Sequence, residues 1–211
     1  MSNSAEALRA RLMLILSSDI PPEAAAALVA AGDVAAVVVR PGAKAPDTAR
    51  LQALAAPLQE QGCAVLVEDL PDLVADAGLD GMHAGDAAML AAGLGRLKPA
   101  SIVGAGGIEG RHAAMEAGEG GADYVMFGPI AGSGADLAHT CALVEWWSEL
   151  FEVPCAAVAS SDTEVMELAR AGADFIALGT DRTCAPDGVA AVRAAQATID
   201  STGGPAPAPA Q

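Results

Sequence analysis

Arg40 is the residue whose type and position most directly suggest ligand chemistry. It follows the apolar run at residues 34–39, and a cation at the end of a buried strand needs an anionic partner, because an unpaired charge is costly to remove from water. That partner is either a ligand or a carboxylate of the chain itself, Glu68 or Asp69. Arg40 therefore predicts either an anion-binding site or a structural ion pair.

Two further features stand where apolar runs end. The segment Gly104-Ala105-Gly106-Gly107 could cradle a phosphate with its backbone N–H groups, or its glycines could simply relieve crowding. His83 closes another run, and a lone histidine there is either a catalytic group or a hydrogen-bonded packing residue. His112 and His139 fall on predicted helix surfaces.

A repeated phrase predicts the elements that position these residues. Eight residues that begin and end with glycine occur at 78–85, 121–128 and 172–179, and a fainter copy opens at Ala31. In each copy a helix-ending glycine precedes an aspartate turn, a mostly apolar run and a second glycine, where backbone can approach a bound molecule. The aspartate of each copy is predicted to form a turn rather than to act in catalysis: Asp80, Asp123 and Asp174. Such repetition predicts an array of helix-to-strand units.

Eight such alternations fit along the chain. Strands are predicted near 12–17, 34–39, 63–67, 79–83, 101–104, 122–127, 154–158 and 174–178. Helices are predicted near 21–31, 47–61, 70–77, 86–96, 109–118, 138–150, 161–171 and 186–200. An open doubly wound sheet is the alternative, but even repetition without a dinucleotide glycine fingerprint favours a (β/α)8 TIM barrel. We expect one barrel domain at 12–200, an N-terminal extension at 1–11 and a disordered Pro/Ala tail at 201–211.

Charge limits the partners of this chain. Its 211 residues include 27 acids and 11 bases, and the net charge of −16 argues against nucleic acid or an anionic membrane as a partner. The apolar stretch at residues 12–16 is too short for a signal peptide or a membrane span.

The cysteines and tryptophans suggest an ordinary reduced core. The four cysteines lack metal-type spacing, and Cys63 and Cys155 fall within predicted strands, which favours buried thiols and a cytoplasmic protein. The pair Trp146-Trp147 is either a homodimer contact or a cover for the core.

Two phrases carry a family resemblance. Residues 121–130, Gly-Ala-Asp-Tyr-Val-Met-Phe-Gly-Pro-Ile, and residues 81–85, Gly-Met-His-Ala-Gly, are similar to the sixth- and fourth-strand signatures of the thiamine phosphate synthase and thiazole tautomerase superfamily. Weaker matches in the same order extend over 12–200. The resemblance implies a TIM barrel that binds a small phosphorylated or related heterocyclic ligand. It also implies Mg²⁺ and a reaction that joins hydroxymethylpyrimidine diphosphate to thiazole phosphate.

The resemblance also implies roles for individual residues. Arg40, with Lys44 two places later than the family lysine, would hold the diphosphate as the catalytic cations. Asp69 would bind magnesium, and Asp86 is the carboxylate nearest to the second metal position. The remaining matched positions would contact substrate: Glu68, His83, Gly106, Gly128, Pro129, Ser133, Ser160, Ser161, Gly179 and Thr180.

Several of these positions depart from the family pattern. Glu68 and Leu70 replace an asparagine and an arginine, Gly106 replaces a serine, and Pro129 stands where the tautomerase histidine would be. Loss of one preorganised donor typically costs about 10²–10³ in rate. Two hypotheses follow: a thiamine phosphate synthase-like transferase of impaired activity, and a non-catalytic or repurposed barrel that binds a small ligand.

Overall fold

Eight parallel strands pair in chain order, and β8 pairs with β1 to close a barrel. The structure is a computed structural model that describes residues 9–130 and 136–202. The strands are β1 Arg11–Ser17, β2 Val34–Arg40, β3 Ala64–Glu68, β4 Gly81–Ala84, β5 Ile102–Ile108, β6 Tyr124–Phe127, β7 Cys155–Ala159 and β8 Phe175–Leu178. The predicted (β/α)8 TIM barrel is confirmed.

Helices follow the strands and form the outer layer. They are α1 Pro22–Val29, α2 Thr48–Gln59, α3 Pro71–Asp76, α4 Ala87–Leu97, α5 Arg111–Glu119, α6 Leu137–Leu150, α7 Asp162–Arg170, α8 Thr180–Thr183 and α9 Gly188–Thr202. None of the helices within the described ranges is long and apolar enough to cross a membrane. Sequence analysis missed α8, a single turn between β8 and α9.

Side chains alternate between the two faces of each strand and so form two buried layers. Residues on one face of each strand pack inside the barrel, where Met13, Ile15, Leu66 and Met126 are joined by several alanines. Residues on the other face pack against the helices in a larger cluster. Trp147 is fully buried there, as expected for a tryptophan that covers the core.

Aspartates lock the N-terminal ends of the strands, and we call Asp33, Asp80, Asp123 and Asp174 the aspartate rim. Each directly precedes an even-numbered strand. Three of them accept a backbone N–H from near the start of the preceding strand, at 2.7–2.8 Å: Asp80 from Val65, Asp123 from Val103 and Asp174 from Cys155. Their role is therefore structural, and it fixes neighbouring strands at the end opposite to the barrel mouth.

Candidate functional site at the barrel mouth

One inward-facing residue lies within two residues of the C-terminal end of each strand. Met13 and Ile15 of β1 lie in the interior cluster, so two-residue alternation places Ser17 above them, and the same count holds on the other strands. Strand register supports the ring, because Ser17 pairs with Arg40 and Glu68 pairs with His83. We call these eight residues the mouth ring: Ser17, Arg40, Glu68, His83, Gly106, Gly128, Ser160 and Gly179. Seven of them are predicted site residues; the exception is Ser17.

Arg40 and Glu68 satisfy each other across two neighbouring strands. Arg40 Nε donates to Glu68 Oε2 over 2.7 Å, and the side chains are only 27% and 12% exposed. Of the two alternatives for Arg40, the geometry therefore favours the ion pair with Glu68. An anionic ligand would have to compete with a carboxylate that already holds the guanidinium.

The two predicted magnesium ligands are engaged by backbone. Asp69 has a left-handed backbone with φ of 55°, and its Oδ1 accepts the N–H of Gly85 over 2.8 Å. Asp86 caps α4, where its Oδ1 accepts the N–H groups of Ala88 and Met89.

Magnesium does not fit this arrangement as a preformed site. Over 9–130 and 136–202, no group of three or more His, Cys, Asp or Glu side chains could hold a metal ion. Glu68, the one carboxylate among the eight residues of the mouth ring, is held by Arg40.

His83 and Tyr124 form a buried polar pair inside the barrel. His83 Nδ1 lies 2.7 Å from the Tyr124 hydroxyl, and His83 is fully buried. Burial, with a smaller contribution from the positive charge of Arg40, lowers the pKa of His83 to about 4, so the imidazole is neutral near pH 7. Within the described part of the chain its Nε2 has no hydrogen-bond partner.

Tyr124 was missed as a candidate by sequence reasoning. Its signal was available, because it is a polar residue at an inward position of an otherwise apolar strand. Burial raises the pKa of its phenol, so it stays protonated and can hold one tautomer of His83.

The glycines of β5 make room for that pair. A Cβ built on Gly106 would lie 2.3 Å from His83 Nε2, and one on Gly104 would lie 2.0 Å from Cζ of Tyr124. Gly107 has φ of +65° and lies at an irregularity in the pairing of β5 with β6. The segment 104–107 is therefore strand, and relief of crowding explains its glycines better than a phosphate cradle does.

The serines after β7 are engaged locally. Ser160 donates its backbone N–H and its hydroxyl to Glu164 over 2.7 and 2.8 Å. Ser161 caps α7 and accepts the N–H of Glu164 over 3.2 Å. Both serines that were predicted to contact substrate thus bond to the first turn of a helix in this structure.

The positions after β8 and β6 complete the predicted site. Gly179 and Thr180 begin α8, and Asp181 lies against them, since a Cβ built on Gly179 would meet its carboxylate at 2.6 Å. Pro129 and Lys44 are exposed, and Ser133 lies outside the described residues.

A closed (β/α)8 barrel whose small and polar residues converge where the strands end defines a TIM-barrel protein with its site at the mouth. The sequence model of the family described as thiamine monophosphate synthase matches residues 12–181. The chain therefore belongs to the thiamine monophosphate synthase family.

Individual relatives agree with this membership. A thiamine-phosphate synthase of Rhodospirillum centenum is 41% identical over 180 residues, which cover 80% of this chain and 86% of that protein. One of Hyphomonas neptunium is 37% identical over 155 residues, which cover 71% and 70%. The solved thiamine phosphate pyrophosphorylase of Pyrococcus furiosus matches with a TM-score of 0.74 at 19% identity, covering 90% of this chain and 96% of that one, which shows a shared fold.

Proposed function

We propose that the barrel mouth binds a small heterocyclic ligand of low negative charge, and that this chain does not catalyse diphosphate displacement. The observation that carries the proposal is the 2.7 Å ion pair between Arg40 and Glu68. It neutralises Arg40, one of the two cations that would hold a diphosphate, in a chain whose net charge is −16.

The missing donors give the expected size of the loss in rate for diphosphate displacement. A departing diphosphate is stabilised by preorganised donors and cations, and each lost donor costs about 10²–10³ in rate. At the mouth, Gly106 and Pro129 carry no side-chain donor, while Asp69, Asp86 and Asp181 add negative charge. An anion would meet repulsion where the family chemistry requires attraction.

The mouth ring suits an uncharged aromatic ligand. Three of its eight members are glycine and add neither charge nor a side-chain donor: Gly106, Gly128 and Gly179. The neutral His83 beneath them adds no charge. A heterocycle would therefore bind through shape and hydrogen bonds.

The synthase reaction is the second candidate, and the 41% identity to a protein named thiamine-phosphate synthase favours it. In that reaction the bond between the pyrimidine methylene carbon and a diphosphate oxygen breaks, and diphosphate leaves with the electron pair. The thiazole nitrogen then forms the new bond to the same carbon. Arg40 would have to leave Glu68 to serve the departing group.

Calorimetry with matched ligands separates the two candidates. The ligands are 4-amino-5-hydroxymethyl-2-methylpyrimidine and its diphosphate, each titrated with and without Mg²⁺, and thiamine phosphate formation is followed in parallel. We expect heat from the alcohol, none from the diphosphate, and no product with thiazole phosphate added. Heat from the diphosphate with magnesium, together with product, would establish the synthase reaction instead.

A charge variant tests the ion pair directly. In Glu68→Gln the guanidinium of Arg40 loses its anionic partner, so we expect the affinity for diphosphate to rise about ten-fold and heat of diphosphate binding to become detectable by calorimetry. Glu60→Gln is the matched control, because it removes the same charge from the exposed end of α2. Equal gains in both variants would mean that net charge, rather than the pair, excludes the diphosphate.

A further inference from the structure

A polar pair reaches across β5 inside the barrel. His83 of β4 and Tyr124 of β6 are both register partners of Gly104 on β5, and their polar atoms meet at 2.7 Å. A Cβ on Gly104 would overlap with the Tyr124 ring, and a Cβ on Gly106 would overlap with Nε2 of His83. The pair therefore depends on both glycines, and Nε2 lies beside Gly106, a member of the mouth ring.

The number of unpaired polar atoms decides which partner donates. The phenol of Tyr124 stays protonated, because burial raises its pKa, and within the described ranges its hydroxyl bonds only to Nδ1 of His83. If Nδ1 carried the imidazole proton and donated it, the buried Tyr124 O–H would lack an acceptor and Nε2 would lack a donor. If Tyr124 donates, only the N–H of Nε2 is left without a partner. The hydroxyl is therefore the donor, and the proton of the neutral imidazole lies on Nε2.

The unpaired N–H of Nε2 points to a ligand. His83 is fully buried, and buried donors in native proteins are almost always paired, so this N–H calls for an acceptor that residues 9–130 and 136–202 do not supply. In the mouth ring His83 lies between Gly106 and Glu68, its register partner on β3. Because Nε2 has no solvent exposure in this structure, a ligand that bonds to it has to displace a neighbouring side chain of the ring.

We propose that Tyr124 is a positioning residue that fixes His83 as an Nε2–H donor, and that the ligand is a heterocycle whose unprotonated ring nitrogen accepts this hydrogen bond. The inference rests on the function proposed for the mouth and narrows its ligand class. An aromatic molecule of the same shape without a ring nitrogen would leave the buried donor unpaired.

Nitrogen-15 NMR of the imidazole tests where the proton lies. The chain has three histidines, so His83→Gln assigns the His83 signals by their loss. Near pH 7 we expect Nε2 of the free chain at the shift of a protonated ring nitrogen and Nδ1 at that of an unprotonated one. In Tyr124→Phe both signals should move toward the average of the two tautomers. A proton on Nδ1 in the parent chain, or unchanged signals in Tyr124→Phe, would overturn the role of Tyr124.

A matched pair of ligands tests the acceptor. 4-Amino-5-hydroxymethyl-2-methylpyrimidine and (2-amino-4-methylphenyl)methanol carry the same substituents, but the second has C–H in place of both ring nitrogens. By calorimetry the pyrimidine should bind the parent chain about ten-fold more tightly, and it should shift the Nε2 signal of His83. In Tyr124→Phe this preference should fall to about two-fold.

The outcomes separate the two proposals for the mouth. Equal affinities of the parent chain for both ligands, or an Nε2 signal that the bound pyrimidine leaves unchanged, would overturn the ligand class. If neither ligand binds, the function proposed for the mouth fails and the ligand class fails with it. The tautomer of the free chain still decides the role of Tyr124 in that case.

Glycine variants repeat the test should Tyr124→Phe melt early. In Gly106→Ala the new Cβ would lie 2.3 Å from Nε2, so His83 must turn away and the preference for the pyrimidine should be lost. Gly95→Ala is the matched control, because Gly95 is exposed on α4 and its Cβ would meet no neighbouring residue of the described chain within 4 Å. The control should keep both the fixed tautomer and the preference. A preference that survives Gly106→Ala would place the ligand elsewhere and refute the site.

Discussion

The carboxylates make one repeated contact at the N-terminal end of the barrel and varied contacts at the mouth. At the N-terminal end, Asp80, Asp123 and Asp174 repeat one contact, a bond to a backbone N–H of the preceding strand. At the mouth, Glu68 pairs with Arg40, whereas Asp69 binds the N–H of Gly85. One end is periodic and the other is not.

This difference shows which property of the molecule the repeated sequence phrase indicates. Each even-numbered strand pairs with the odd-numbered strand before it, so the same aspartate contact can fix the start of several strand pairs. No such repetition governs the mouth, where eight strand ends converge on a single space. The repeat therefore indicates the fold, while chemistry depends on the residues that break it.

The largest expected contrast involves the buried histidine of the mouth ring. His83 has a pKa of about 4 when folded, against 6.5 unfolded. Between these values the unfolded chain binds more protons, so the free energy of unfolding falls as pH drops from 6.5 to 4 and is pH-independent, for this group, above 6.5. The loss amounts to roughly 3 kcal/mol, measured by denaturant unfolding across this pH range.

Two variants isolate that contribution. His83→Gln should show a weaker dependence on pH between 4 and 6.5 than the parent chain. His112→Gln, which removes a histidine exposed on α5, should keep the parent slope. A parent slope retained in His83→Gln would assign the effect to carboxylates instead.

At the opposite end, truncation of a rim aspartate should cost less. Asp174→Ala leaves the N–H of Cys155 buried without its acceptor, which we expect to lower the free energy of unfolding by about 1–3 kcal/mol. For a chain of this length each kcal/mol lowers Tm by about 2–4 °C in calorimetry. Asp174→Asn is the control, since its carbonyl oxygen can still accept the bond. Equal losses in both variants would show that charge, not the hydrogen bond, matters.

Sequence patterns predicted the scaffold better than the site. Short apolar runs bounded by glycine and aspartate predicted the eight strands, and the ends of those strands predicted most of the mouth ring. Both predictions succeed because hydrophobic periodicity and turn residues are local signals in the sequence. The sequence alone does not decide whether a ligand, Glu68 or Asp69 is the partner of Arg40, since side-chain pairing across strands depends on register and rotamer. Tyr124 and α8 were missed for a similar reason: their roles depend on contacts with His83 and β1, which are distant in the chain.

The smallest expected effect concerns Asp33, which differs from the other three residues of the aspartate rim. Asp33, in the fainter copy of the phrase, accepts from the Arg11 side chain over 2.8 Å, and the two side chains are 58% and 46% exposed. Among residues 9–130 and 136–202 no backbone N–H donates to this carboxylate, and solvent screens the pair, so Asp33→Ala should cost only about 0.2–1 kcal/mol. Because the attraction is exposed, added salt should reduce that cost further, whereas the cost of Asp174→Ala should change little. Unfolding titrations at low and high salt measure the loss of stability in both variants. If Asp33→Ala costs as much as Asp174→Ala, the fainter copy fixes neighbouring strands as the other three copies do.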